Sequence, residues 1–140
     1  MADPLVISLS GVKFTPDQLY NKTCMSLISG TSGADKNIQL LGTGYQVPVG
    51  RKAIVTHLQI LNGSDADNMN SIEVWYADDV GTTNAVYLLP VRLDVLSPGN
   101  KLDVDVYWEV PAEKYIMINN ANNAGFEAGL VVMQFAEVDA

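Results

Sequence analysis

Few residues in this chain could do chemistry, and they are scattered. There is one histidine, His57, and one cysteine, Cys24. Nucleophilic catalysis needs a nucleophile, a base and a group that orients the base. His57 lies between Thr56 and Leu58 in a long apolar stretch with no motif around it, and no G-x-S-x-G elbow is present. A histidine in such a setting is more often a surface or hydrogen-bonded structural residue than a base. One His and one Cys do not make a zinc site, and a lone Cys in a strand usually packs as a small hydrophobe. Asp103 and Asp105 are the clearest carboxylate pair. Two steps along a strand separate them by about 7 Å, within the span of inverting glycosidase carboxylates. Acids at i and i+2 also keep a wet strand face soluble, which is the plainer reading.

Two further groups could bind a ligand. Asp65-Ala66-Asp67-Asn68-Met69-Asn70 begins like a calcium loop, with acids at positions one and three. Met69 stands at position five, Asn70 where the sharp-turn Gly belongs, and Tyr76 in place of the bidentate Glu. A solvated acidic hairpin loop explains the stretch better, so Asp65 and Asp67 are only a weak calcium candidate and no cofactor is expected. Trp75, with Tyr45, Tyr87 and Tyr107, could form an aromatic platform for sugars, together with the loops at 62–70 and 119–125. Trp75 is the best of them, because alternation puts it on the Glu73 face, opposite Ile72, Val74 and Tyr76. Gly42-Thr43-Gly44 does not open a helix and lacks the setting of a phosphate cradle.

The elements that must position these residues are strands. Gly44 to Leu61 reads as strand, corner, strand: Pro48 has no N–H for a ladder, and Gly50 permits positive φ. Ile54, Val55, Leu58, Ile60 and Leu61 then mark a long buried strand. The corner recurs: Glu109-Val110-Pro111-Ala112-Glu113-Lys114 copies Gln46-Val47-Pro48-Val49-Gly50-Arg51 as polar-Val-Pro-small-x-basic. Between the corners, Leu102, Val104, Val106, Trp108 and Val110 alternate with Lys101, Asp103, Asp105, Tyr107 and Glu109, the pattern of a strand with one buried and one wet face. Other strands are expected at Thr23–Ile28, Asn37–Leu41, Ser71–Ala77, Ala85–Val95 with a bend at Pro90, Lys114–Ile118 and Gly129–Val138. Residues 1–22 read as an N-terminal arm. Pro4 and Pro16 break any helix there, and Leu5, Val6, Ile7 and Leu9 can pair as an edge strand or lie on a neighbouring subunit. Thr15 to Tyr20 has room for one helical turn. Residues 23–140 form one domain, an all-β, two-sheet antiparallel β-sandwich; a jelly roll is expected first and an immunoglobulin-like sandwich second.

The totals fit a folded domain of 140 residues with 48% hydrophobic residues. A net charge of −8 argues against non-specific binding to nucleic acid or to an anionic membrane. No apolar run approaches the ~20 residues of a membrane-spanning helix. The opening MADPLVISLSG has no basic n-region, so no signal peptide is expected.

The phrase Tyr45-Gln46-Val47-Pro48-Val49-Gly50-Arg51-Lys52-Ala53-Ile54-Val55, continued by Thr56, Ile60 and Asn62, resembles the opening of small β-sandwich structural proteins of tailed bacteriophages. Val110-Pro111-Ala112-Glu113 resembles the second short phrase of that group, with Glu113 where a Gly is more usual. The likeness spans roughly residues 44–118. In size and acidity the nearest type is the capsid decoration, or cement, protein. The resemblance implies a non-enzymatic protein made in the host cytoplasm and carried on the capsid surface of the virion. It further implies a homotrimer that binds the major capsid protein, with the arm residues Leu5, Val6, Ile7 and Leu9 making the contact, and with no nucleic-acid or membrane partner. The alternative is a carbohydrate-binding sandwich, lectin-like or part of a phage tail or fibre, built on Trp75.

Overall fold

The computed structural model describes residues 7–9, 12–14, 22–29, 35–62, 72–89, 97, 99–120 and 128–140. All regular structure among them is strand. In chain order these are β1 (Ile7–Leu9), β2 (Val12–Phe14), β3 (Lys22–Ser29), β4 (Lys36–Asn37), β5 (Gln39–Leu40), β6 (Thr43–Gly44), β7 (Arg51–Asn62), β8 (Ile72–Ala77), β9 (Val86–Leu89), β10 (Lys101–Val110), β11 (Tyr115–Asn120) and β12 (Ala128–Asp139). The protein is all-β, and every described pair of strands is antiparallel.

The described strands form three sheets. The large one runs β10-β7-β12-β3-β5-β6, the small one β4-β11-β8-β9, and β1 and β2 form a two-stranded sheet of their own. The pairing is nested. β3 pairs with β12, β4 with β11, β7 with β10 and β8 with β9, so early strands meet late ones and the innermost pair is a local connection. One apolar core lies between the large and small sheets. It takes Ala53, Val55, Leu58 and Ile60 from β7, Val131, Met133 and Phe135 from β12, Ile72 and Val74 from β8, and Ile116 and Ile118 from β11. The period-2 pattern of β10 holds along its length: Leu102, Val104, Val106 and Trp108 pack against this core, while Lys101, Asp103, Asp105, Tyr107 and Glu109 face water.

The stretch expected as one strand at Asn37–Leu41 divides at Ile38. Asn37 lies opposite Met117 in the small sheet, whereas Gln39 lies opposite Met25 in the large one. Ile38 between them turns into the core, its N–H donating to the Ile116 carbonyl (3.1 Å) and its own carbonyl accepting from Tyr45 N–H (2.9 Å). Periodicity cannot reveal this, because changing sheets costs no apolar residue. Asn37 fixes the crossing by donating from Nδ2 to the carbonyls of Tyr45 and Ile116, each at 3.0 Å. A methyl group at Gly44 would meet Asn37 Oδ1 at 2.6 Å, so a side chain there displaces that amide.

Both corners also carry the chain between sheets. Gln46 bridges to Tyr115 beside the small sheet, and the chain then turns at Val49-Gly50 into β7 of the large one. The second corner runs the other way, from β10 to β11. The two are bonded to each other: Val47 N–H donates to Lys114 O (2.9 Å), Glu113 N–H to Val47 O (2.8 Å), and Gln46 Nε2 to Glu113 O (2.8 Å).

In β9 the described part of the expected Ala85–Val95 strand stops at Leu89; Pro90 to Leu96 lie outside the described residues, as does the helical turn expected at Thr15–Tyr20.

Candidate functional site

Three of the residues singled out for chemistry, His57, Asp103 and Asp105, come together at one place, the outer face of β7 and β10. The cause is a bulge. From Gln134 to Phe135, β12 advances one residue while β7 advances two, from His57 to Val55, so Thr56 is an extra residue in β7. Its Oγ1 donates to the Gln134 carbonyl at 3.4 Å. The bulge shifts the phase of the strand: core positions are Ala53 and Val55 before it, Leu58 and Ile60 after it. His57 is thereby set on the outer face. The register places Asp105 directly opposite His57 and Asp103 opposite Gln59.

The imidazole lies between the two carboxylates. Nδ1 is 2.8 Å from Asp105 Oδ1, and Nε2 is paired with Asp103 Oδ1. Lys101 Nζ lies 3.7 Å from the other Asp103 oxygen. The hydrogen bond to Asp105, helped by the charge of Asp103, raises the His57 pKa against a smaller opposing effect of desolvation. A proton on each ring nitrogen satisfies both carboxylates at once, so the arrangement selects the imidazolium.

This geometry bears directly on the two catalytic readings. In a nucleophile–His–acid array one ring nitrogen meets the acid and the other serves a hydroxyl or thiol. Here both nitrogens are occupied by carboxylates. In an inverting pair the two carboxyl groups face a bond and a water between them. Asp103 and Asp105 instead share an imidazole. What the cluster does is tie an edge strand to its neighbour through two charge-assisted bonds.

Trp75 is a correction. Alternation predicts a wet face for it, but the ring is only 1% exposed. β8 is buried on both sides: Ile72 and Val74 enter the main core, while Trp75, Ala77 and Met117 form a second apolar cluster on the opposite face of the small sheet. The loop after β8 closes over the indole, whose Nε1 donates to the Gly81 carbonyl at 2.8 Å. Asp79 holds that loop, accepting from Gly81 N–H (3.0 Å), Thr83 N–H (3.2 Å) and Thr83 Oγ1 (2.6 Å). The Thr83 hydroxyl bond, with those backbone donors, lowers the Asp79 pKa. Asp78 is lowered as well, first by Lys114 and then by Asn84. Trp75 therefore offers no open face to a sugar. Tyr87 beside it is half-exposed, its ring tilted 39° against Trp75 with ring centres 5.6 Å apart.

Asp65 and Asp67 lie outside the described residues, as do Leu5 and Val6 and the loop residues 63–70 and 121–125. Ile7 and Leu9 are in β1, opposite Phe14 and Val12. Cys24 is in β3 opposite Met133; the β3 side chains lie outside the described residues. Among the described residues, no three acidic, His or Cys side chains converge to hold a metal ion.

Sequence reasoning weighed His57, Asp103 and Asp105 separately and missed their union. A signal was present. A single His in a long strand and a row of outward acids in another strand are potential partners wherever those two strands pair.

Comparison of the chain with family models, with curated proteins and with solved structures gives no match.

Proposed function

We propose that this chain is a non-enzymatic structural protein of a phage virion: a decoration protein that binds the outer surface of an assembled head as a homotrimer, through the major capsid protein, and stabilises it. The observation that carries the reading is the pair of corners. The two phrases on which the phage resemblance rests occupy matching sheet-changing turns, and these turns are hydrogen-bonded to each other. The resemblance thus falls on two of the turns that join the two sheets.

Two further features support it. β1 and β2 pair only with each other among the described strands, as suits an arm that reaches beyond the sandwich. The nested pairing of β3 with β12, β4 with β11, β7 with β10 and β8 with β9 favours a jelly roll over an immunoglobulin-like order. Jelly rolls serve in viral capsid and in lectin domains. In the proposed mechanism the arm residues Leu5, Val6, Ile7 and Leu9 bury apolar surface against the shell. One trimer engages several capsid subunits, so modest contacts add through effective concentration. Binding only the assembled shell stabilises that shell by mass action.

Co-sedimentation with assembled heads of the encoding phage tests this reading. The full chain is expected to pellet with heads, and a variant lacking residues 2–12 to stay in the supernatant while keeping its β-sheet circular dichroism. No pelleting of the full chain would overturn the decoration role; full occupancy by the truncated chain would overturn the role of the arm. A sugar-binding reading rests on the Tyr87 ring backed by Trp75. A glycan-array hit lost in Tyr87→Ala would favour it.

A further inference from the structure

The His57 cluster does not contribute to that reading, and its position suggests a separate role. Among the described strands β10 ends the large sheet and pairs with β7 alone. A register shift between Asp105 and Trp108 divides β10 into two halves. Beyond the shift, Val110 is fully buried and Glu109 meets Lys52 Nζ at 3.1 Å. Before it, Leu102, Val104 and Val106 are only partly buried, and the ties from this half to β7 on the outer face run from Asp103 and Asp105 to His57. The first half of an edge strand is therefore fastened at its outer face by one titratable ring.

The charged surroundings of that ring lie mostly on β10. Asp103 and Asp105 touch it, Lys101 lies beside Asp103, and Tyr107 and Glu109 follow on the same face. β12 presents the uncharged Gln134 opposite His57. On β7 itself, Gln59 is neutral and Lys52 is engaged by Glu109. A doubly protonated imidazole donates to both aspartates. A neutral one donates from a single nitrogen and turns a lone pair toward the other carboxylate. Loss of the proton thus removes one of the two bonds and turns that same contact repulsive, while the bond that remains no longer has the imidazolium charge behind it.

We propose that His57 is a proton-operated latch: protonated, it holds the first half of β10 against β7, and when the proton leaves, residues 101–106 open more often while the rest of the sandwich is unchanged. The sign follows from the raised pKa of the ring. The stabilisation is fully present below the ordinary imidazole value of about 6.5 and is lost as pH rises through the higher folded-state midpoint.

Hydrogen exchange of the full chain, read by mass spectrometry and corrected for the intrinsic pH dependence of exchange, tests the latch. Between about pH 5.5 and about pH 8.5, protection of peptides covering 101–106 is expected to fall about two- to fivefold relative to 115–120, the range for an exposed ion-pair cluster. In His57→Gln that pH-dependent fall should vanish. Equal behaviour of the two segments in the parent chain, or the same fall in the variant, would overturn the proposal. A second readout needs no variant. His57 is the sole histidine, so one imidazole proton signal can be titrated by NMR without ambiguity. A midpoint above the ordinary value supports the latch, and one at or below it overturns it.

Discussion

The corner at Val47–Arg51 and the corner at Val110–Lys114 use one phrase for one task, yet they differ where the backbone is least free. Both place a buried valine before proline: Val47 is 1% and Val110 0% exposed. Both then take a positive φ three residues later, at Gly50 (74°) and at Glu113 (64°). Glycine occupies that region at no steric cost, whereas a side chain there costs about 1–2 kcal/mol. Glu113 accepts this cost because its backbone is held from both sides: its N–H donates to Val47 O, and its carbonyl accepts from Gln46 Nε2. The first corner follows from its own sequence. The second keeps its shape because the first is bonded to it.

That contrast can be broken in order of severity. Val47→Asp and Val110→Asp bury an unpaired charge between the sheets, and each is expected to cost several kcal/mol and leave no cooperative urea transition. If either valine tolerated Asp, its corner would not be anchored in the core. The aromatic residues two positions earlier separate the corners further. Tyr45 is buried, packs against Phe135 with ring centres 4.7 Å apart, and donates from its hydroxyl to Glu137 Oε1 at 2.8 Å. Trp108 is only partly buried. Tyr45→Ala should cost about 3–5 kcal/mol and Trp108→Ala roughly half that, measured by denaturant midpoint.

Substitutions at the positive-φ positions should have opposite signs. Gly50→Ala meets no atom within 4 Å, so only backbone strain opposes it, and a loss of about 1 kcal/mol is expected. Glu113→Gly should raise stability by about 0.5 kcal/mol, the relief of strain less the added freedom of the unfolded chain. Equal and same-signed effects would remove the distinction between the corners. The smallest change sharpens it. Gln46→Ala deletes the side-chain bond to Glu113 O and should cost about 0.5–1 kcal/mol alone, and less in a Glu113→Gly background, where the held conformation no longer needs support.

Much of this scaffold is legible in the residues. The alternation in Lys101–Val110 gives the two faces of β10, and the apolar run after Gly50 gives the buried β7. The repeated Val-Pro phrase marks two of the places where the chain changes sheets. Other features depend on partners distant in sequence. The Thr56 bulge exists only relative to β12, and without it His57 would not reach the face of Asp103 and Asp105. Trp75 is buried because the Gly81 carbonyl and a loop ordered by Asp79 cover it, which period-2 alternation in β8 cannot register. Ile38 changes sheets through bonds to Ile116 and Tyr45. In each case the deciding contact is a hydrogen bond to the backbone or a register step, which leaves little trace in hydropathy.

The most direct measurement of the proposed assembly is solution mass, by light scattering on a size-exclusion column. A trimeric decoration protein predicts a single species at three times the 15.1 kDa chain mass. A single species at the monomer mass, unchanged on raising concentration, would contradict it.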